Sequence, residues 1–309
     1  MMNALHIVTP LWESRALSGI MNTPVYLKME ALQPIGSFKI RGLGAACQAS
    51  WNEGARRFVC ASGGNAGYAV AYAGRQLGAE VTVVVPKAAS VWIQDLLRRE
   101  GATVIVHGEA WDEAHVYATQ LAVRENAAYI HPFDDPRVWQ GHASIIHEIA
   151  AAQIKPGVVV VSVGGGGLLC GLLEGLHQVG WAEVPVVAVE TEGAASFAKS
   201  VAAGQLITLD RITSIATTLG SRTVAAEALA WTQRHQIIPW IVTDRAAVNA
   251  CQSFADEHRV LVEPACGASL SAVYDDAKPL QGLAPIVVIV CGGAGVNRQL
   301  LDEWSKKAQ

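Results

Sequence analysis

Residues 156–173 carry no charged side chain, and the stretch reaches the length at which a membrane helix has to be considered. Gly164, Gly165, Gly166 and Gly167 lie in its middle, and each would cost a helix about 1 kcal/mol relative to alanine. The stretch therefore parses as a strand from Val158 to Val163, a glycine loop, and a helix from Leu168. A valine run of this kind suits a strand buried on both faces of a parallel sheet.

The same unit recurs along the chain. Apolar strands are predicted at Val25 to Glu30, Arg57 to Cys60, Val81 to Val85, Thr103 to Val106, Val186 to Glu190, Ile238 to Val242 and Ile286 to Val290. Helices are predicted from Asn65 to Leu77, Ser90 to Arg99, Ala110 to Glu125, Arg245 to Glu257 and Pro264 to Tyr274. Short glycine-containing joints between them imply an α/β fold with parallel sheets and right-handed crossovers. At 309 residues the chain exceeds what one core usually fills. Two units are expected, a smaller one at 35–140 set within a larger one made of 1–34 and 141–309, with the active site in the cleft between them.

A net charge of −4 with no Lys/Arg cluster leaves no electrostatic footprint for nucleic acid or an anionic membrane. Small-molecule chemistry is favoured. The six cysteines are widely spread without a C-x-x-C pair, and no basic-then-apolar leader precedes them, so they read as reduced thiols in the cytoplasm. His147-Glu148 starts like a zinc-protease motif, but Ala151 stands where the second histidine belongs.

Three further stretches, beside the glycine loop at 164–167, carry chemistry. In Gln33-Pro34-Ile35-Gly36-Ser37-Phe38-Lys39-Ile40-Arg41-Gly42, one lysine follows a Pro/Gly turn at the first turn of a helix beginning near Ser37. On a rigid element with few charges nearby, such an amine loses its proton cheaply and can form a Schiff base. Ser62-Gly63-Gly64-Asn65-Ala66-Gly67 ends a strand and opens a helix; it can receive a carboxylate or serve as an ordinary N-cap. Gly164 to Gly167, in the same context, can converge backbone N–H groups on a phosphate. No register of that loop fits the dinucleotide fingerprint. Cys291-Gly292-Gly293 ends the last strand, where a thiol would stand over the carboxyl edge of the sheet.

Taken together, these stretches, with Pro132-Phe133-Asp134-Asp135-Pro136, Gly141-His142-Ala143-Ser144 and Leu261-Val262-Glu263-Pro264-Ala265-Cys266, resemble the pyridoxal-phosphate-dependent serine/threonine dehydratases. The similarity is greatest to the catabolic L-serine dehydratase branch, and it spans nearly the whole chain. It implies fold type II of these enzymes, like the tryptophan synthase β chain. It further implies that Lys39 carries the cofactor as a Schiff base, with Phe38 beside the ring. Gly164, Gly165, Gly166, Gly167 and Leu168 would hold the phosphate, Asn65 would meet the ring hydroxyl, and Cys291 would face the pyridine nitrogen. The substrate carboxylate would rest on Ser62, Gly63, Asn65 and Ala66. A monovalent cation, K+, would sit on Glu190 with carbonyls of Gly164, Ala194, Leu219 and Ser221.

The implied reaction is β-elimination of L-serine to pyruvate and ammonia, and of L-threonine to 2-oxobutanoate. Lys39 would act as the general base, and Ser62 or a group near the phosphate would protonate the leaving hydroxyl. The alternatives are a cysteine-synthase-like β-replacement enzyme and an NAD-dependent oxidoreductase. A homodimer is the expected assembly. Ile35 stands where the family often has threonine, which leaves the Lys39 assignment intact; Gly63 stands where many members have alanine or another small residue, which bears on substrate preference.

Overall fold

The computed structural model of the protein describes residues 3–308. Strand β1 (Leu11–Glu13), helix α1 (Arg15–Met21) and strand β2 (Val25–Lys28) lead through a 3-10 turn, Glu30–Leu32, into α2 (Lys39–Asn52). An alternating series follows: β3 (Arg57–Ala61), α3 (Asn65–Leu77), β4 (Glu80–Val85), α4 (Val91–Arg99), β5 (Thr103–Val106), α5 (Trp111–Arg124) and β6 (Ala128–Tyr129). Helix α6 (Pro136–Ala151) then leads to β7 (Val158–Ser162), α7 (Gly167–Gln178), β8 (Val186–Thr191), α8 (Ser196–Ala203) and α9 (Ala226–Trp231). The chain closes with β9 (Ile237–Val242), α10 (Asp244–His258), α11 (Pro264–Tyr274), β10 (Ile286–Ile289) and α12 (Arg298–Lys307).

Two sheets result. One has the strand order β1-β2-β10-β7-β8-β9, with β1 antiparallel and the rest parallel; the other, β5-β4-β3-β6, is parallel throughout. Both are flanked by helices, as the alternating pattern implied. Val158, Val159, Val160 and Val161 of β7 are fully buried. Each such side chain contributes about 1.5–3 kcal/mol by leaving water. No helix is long and apolar enough to cross a membrane among the described residues.

The four-stranded sheet draws all its strands from residues 57–129, and the six-stranded sheet takes its strands from either side. On that basis we propose the division at about 35 and 140. Its second bound falls within α6, which serves both cores: Val138 packs under the smaller sheet, and Ile145, Ile146 and Ile149 under the larger. Helices α2 and α6 meet backbone to backbone. A Cβ on Gly141 would stand 2.4 Å from the Arg41 carbonyl oxygen, so only glycine allows this crossing.

Beside the crossing lies a buried ion cluster. The Arg41 guanidinium, with no exposed surface, donates from Nε to Glu30 Oε2 at 2.7 Å and from Nη1 to Glu148 Oε1 at 2.6 Å. Lys28 also pairs with Glu148 and donates to the Thr9 carbonyl at 2.8 Å. Burial by itself would push the Glu148 carboxyl up, but hydrogen bonds from Arg41 and Lys28 outweigh it and hold the group below its usual range. Removing one partner of a buried pair strands the other charge, at a cost of about 3–5 kcal/mol. Glu148→Ala is therefore expected to lower the unfolding free energy in urea by about that amount. A loss no larger than that of an exposed ion pair, below about 1 kcal/mol, would contradict this account of the cluster.

Candidate active site

The carboxyl ends of β3, β7 and β10 each run into a glycine loop, at 62–64, 164–167 and 291–293. Ligands of open α/β sheets bind at such strand ends. The lysine segment is tied to the third loop by main-chain bonds. Gly36 turns the chain at a φ of +73°, Phe38 N–H donates to the Cys291 carbonyl at 3.2 Å, and Gly293 N–H donates to the Gly36 carbonyl at 2.8 Å. Lys39 is the first residue of α2, two positions later than the helix start expected near Ser37, and no side chain caps the helix. The register between Lys39 and Cys291 thus rests on backbone rather than on flexible side chains.

A cavity of about 310 Å³ opens where the loops meet. Phe38 and Lys39 form part of its wall, with Ser62, Gly63, Asn65 and Ala66 contributed from the second loop. Gly164, Gly165, Gly166, Gly167 and Leu168 line another side, and Leu219, Ser221 and Cys291 complete the residues expected from sequence that border it. Glu190 and Ala194 lie outside the lining, buried at and just beyond the end of β8.

Lys39 reaches the cavity with its amine, which donates to the Pro132 carbonyl at 2.7 Å. Protein packs closely around the amine, and this desolvation pushes its pKa down to about 8, against a small opposing pull from the Cys60 and Cys291 thiols. Cys291 is held neutral, first by its hydrogen bond with Cys266 and then by burial. The Ser62 hydroxyl accepts from Gly64 N–H at 3.3 Å. The cap position of α3 is Gly64, with no side-chain cap, so neither Ser62 nor Asn65 serves as an ordinary N-cap.

The loop after β7 fits a phosphate. Gly166 takes a φ of +90°, and α7 starts without a side-chain cap. Among the described residues no acceptor is found for the amides of residues 165–168. These N–H groups, at the positive end of a helix, form a cradle for an anion. Gly165 is also required by packing, since a Cβ there would stand 2.4 Å from the Phe133 ring.

Glu190 is fully buried, and its carboxylate accepts from Phe197 N–H at 2.9 Å and Ala198 N–H at 2.7 Å. Burial pushes its pKa up to about 7, partly offset by those two amides. It is not the salt-bridged surface carboxylate that a strand end usually carries. The backbone of Leu219 packs against Gly164, as a Cβ on Gly164 would lie 3.0 Å from Leu219 Cα. The Ser221 hydroxyl donates to the Thr223 carbonyl at 2.6 Å.

Two residues at the site were missed in the sequence. His131 Nδ1 accepts from the amides of Phe133 and Asp134 at 3.3 and 2.8 Å, shaping the turn that offers Pro132 to Lys39. Burial, and then the neighbouring His115 and Lys39, push its pKa down to about 4, so it stays neutral as an acceptor must. Glu263 borders the cavity and is 4% exposed. In sequence it belongs to a stretch that carries the family resemblance, but it shows no role of its own beyond preceding a proline-started helix.

A family profile described as "Pyridoxal-phosphate dependent enzyme" matches residues 3–292. The chain is 49% identical to human (Homo sapiens) L-serine dehydratase/L-threonine deaminase, over 95% of this chain and 92% of the relative. It is 48% identical to the serine dehydratase-like protein of Mus musculus, over 96% of this chain and 93% of that one. Among solved structures, an L-serine ammonia-lyase from Rhizomucor miehei superposes with a TM-score of 0.92 at 40% identity, covering 99% of this chain and 100% of the other.

The low pKa of Lys39 can be tested without cofactor. Acylation of this one lysine by an amine-reactive ester, read by peptide mass spectrometry, is expected to rise with pH through a midpoint of about 8. Freely hydrated lysines in model peptides titrate at about 10.4. A Lys39 midpoint indistinguishable from theirs would show that its amine is hydrated.

Proposed function

Because the chain belongs to the pyridoxal-phosphate-dependent enzymes, we infer that it dehydrates and deaminates L-serine to pyruvate and ammonia, and L-threonine to 2-oxobutanoate. The observation that carries this reading is the desolvated Lys39 amine at a cavity flanked by an anion cradle and the Ser62 loop. L-Serine dehydratases match that chain over nearly its whole length.

In this reading Lys39 would supply the amine that attaches the cofactor, Phe38 would pack beside the ring, and the amides of residues 165–168 would hold the phosphate. Asn65 would meet the ring hydroxyl. Cys291, kept neutral by Cys266 and burial, can hydrogen-bond the pyridine nitrogen without fixing a proton there. The bound cofactor supplies the electron sink for the charge left when the substrate α-proton departs. Lys39 Nζ, freed once the substrate amine has taken its place, would accept that proton, and a base of pKa about 8 is well matched to work near neutral pH. The substrate carboxylate rests on the loop of Ser62, Gly63, Asn65 and Ala66. The Ser62 hydroxyl proton, for which no acceptor is found among the described residues, is available to the leaving hydroxyl.

A monovalent cation such as K+ is part of the same reading. Glu190 is a buried carboxylate with no cationic side chain among the causes that set its pKa. Two of its lone-pair sites are taken by backbone amides, which leaves capacity for a cation shared with carbonyls of Gly164, Ala194, Leu219 and Ser221. Six unpaired, buried cysteines suit a reducing compartment and support a cytoplasmic location. A homodimer is proposed from the family resemblance alone.

Lys39→Ala is expected to lower pyruvate formation from serine by about 10²-fold or more while circular dichroism stays that of the parent. Turnover at the parent rate would exclude the assignment. For the cation, Glu190→Gln should abolish the gain in rate that potassium gives over tetramethylammonium buffer. Rates that ignore potassium in both proteins would remove the cation from the account.

A further inference from the structure

Glu263 precedes α11, yet its carboxylate does not cap that helix. It turns to the cavity side, where Oε1 accepts from Gly295 N–H at 2.7 Å. Its Oε2 accepts from the Thr218 hydroxyl at 2.8 Å and from Asn65 Nδ2 at 3.0 Å. Three separate stretches of chain thus converge on one carboxylate: the start of α3, the 3-10 turn at Thr217–Leu219, and the loop after β10. The backbone makes room for it, since a Cβ on Gly293 would lie 2.1 Å from Glu263 Cδ. Burial pushes the Glu263 carboxyl above its usual range, partly offset by the hydrogen bonds from Gly295, Thr218 and Asn65; the two nitrogen partners can only donate, so both oxygens stand as acceptors toward them.

The consequence falls on Asn65. Its Oδ1 accepts from Ala294 N–H at 2.8 Å, and a backbone N–H can only donate, so the carbonyl end of the amide must be there. The carboxylate of Glu263 can only accept, so it requires the NH₂ end on its side. The amide is pinned from both directions. One N–H remains without a protein partner among the described residues, on a side chain that borders the cavity.

We propose that Glu263 is a positioning residue for Asn65: it fixes the amide so that an N–H, and never the carbonyl oxygen, faces the ligand. The matching ligand group is an anionic oxygen, either the ionised ring oxygen of the cofactor or the substrate carboxylate. Glutamine at 263 would not serve. With its NH₂ toward Asn65 it would meet a second donor, and flipping Asn65 to relieve that would set Nδ2 against Ala294 N–H. With its NH₂ toward Gly295 it would oppose that backbone N–H instead. This inference rests on Asn65 being a ligand of the bound molecules.

The test uses cofactor-free full-length protein with pyridoxal phosphate and 3-deoxypyridoxal phosphate, which lacks the ring oxygen, read by fluorescence quenching. The serine KM of the reconstituted enzyme is measured alongside. Glu263→Gln, nearly isosteric and checked by circular dichroism, is compared with Asn65→Ala. If the partner is the ring oxygen, Glu263→Gln weakens pyridoxal phosphate about 10-fold or more and leaves the deoxy analogue unchanged. If it is the substrate carboxylate, both cofactors bind as in the parent and the serine KM rises by a similar factor. Equal weakening of both cofactors, or no change in either cofactor affinity or KM, overturns the role of Glu263 when Asn65→Ala still shows a selective loss. If Asn65→Ala alters neither quantity, the reading of Asn65 fails, and this inference fails with it.

Discussion

The placement of Lys39 depends on a side chain two residues away, Arg41, that does not border the cavity. Helix α2 begins at Lys39 with no side-chain cap, and Arg41 anchors it through the carboxylates of Glu30 and Glu148. One of these follows β2 of the larger sheet, and the other lies on α6, which packs under both sheets. A buried ion pair adds little net stability over a well-packed apolar cluster, but it tolerates only one arrangement. Here that arrangement sets the height of α2 on α6, with the glycine crossing at Gly141 allowing no slack. The position of Lys39 follows from it.

Burial then turns position into chemistry. Around Lys39 the neighbouring titratable groups are kept uncharged: His131 by a pKa of about 4, Cys60 by a pKa pushed up to about 12, and Cys291 by Cys266 and burial. Without a nearby carboxylate to retain its proton, the lysine amine becomes a base usable near neutrality. In the proposed function the polar work falls to backbone amides at α7 and to Asn65, groups held in place by the fold that need little reorganisation as charge develops.

Much of this was legible in the sequence where local chemistry decides structure. The range read for α3, Asn65 to Leu77, is the one observed, because a glycine pair precedes it and Gly78 in a left-handed conformation ends it. Strand β5 and helix α11 were likewise read to the residue, and the glycine stretch does break strand from helix, although α7 starts at Gly167, one residue before the expected Leu168. Strands β1 and β6, at three and two residues, are too short to show any pattern. Helices α1 and α9, at seven and six residues, were missed as well, and so was the largely polar α12. Glu263 was hidden for a different reason: its partner Asn65 is 198 positions away, and a glutamate before proline already has an ordinary explanation as a helix start. The role of His131 is local, but it shows only once the turn it shapes is seen beneath Lys39.

In the proposed function one lysine, set by Arg41 and desolvated by burial, carries the cofactor. The most direct measurement is to load the protein with pyridoxal phosphate, reduce with borohydride, digest, and locate the added pyridoxyl mass by sequencing mass spectrometry. A single modification is expected, on Lys39, formed in near-stoichiometric yield. A label spread over surface lysines, or one on Lys28 or Lys87 with Lys39 unmodified, would contradict it.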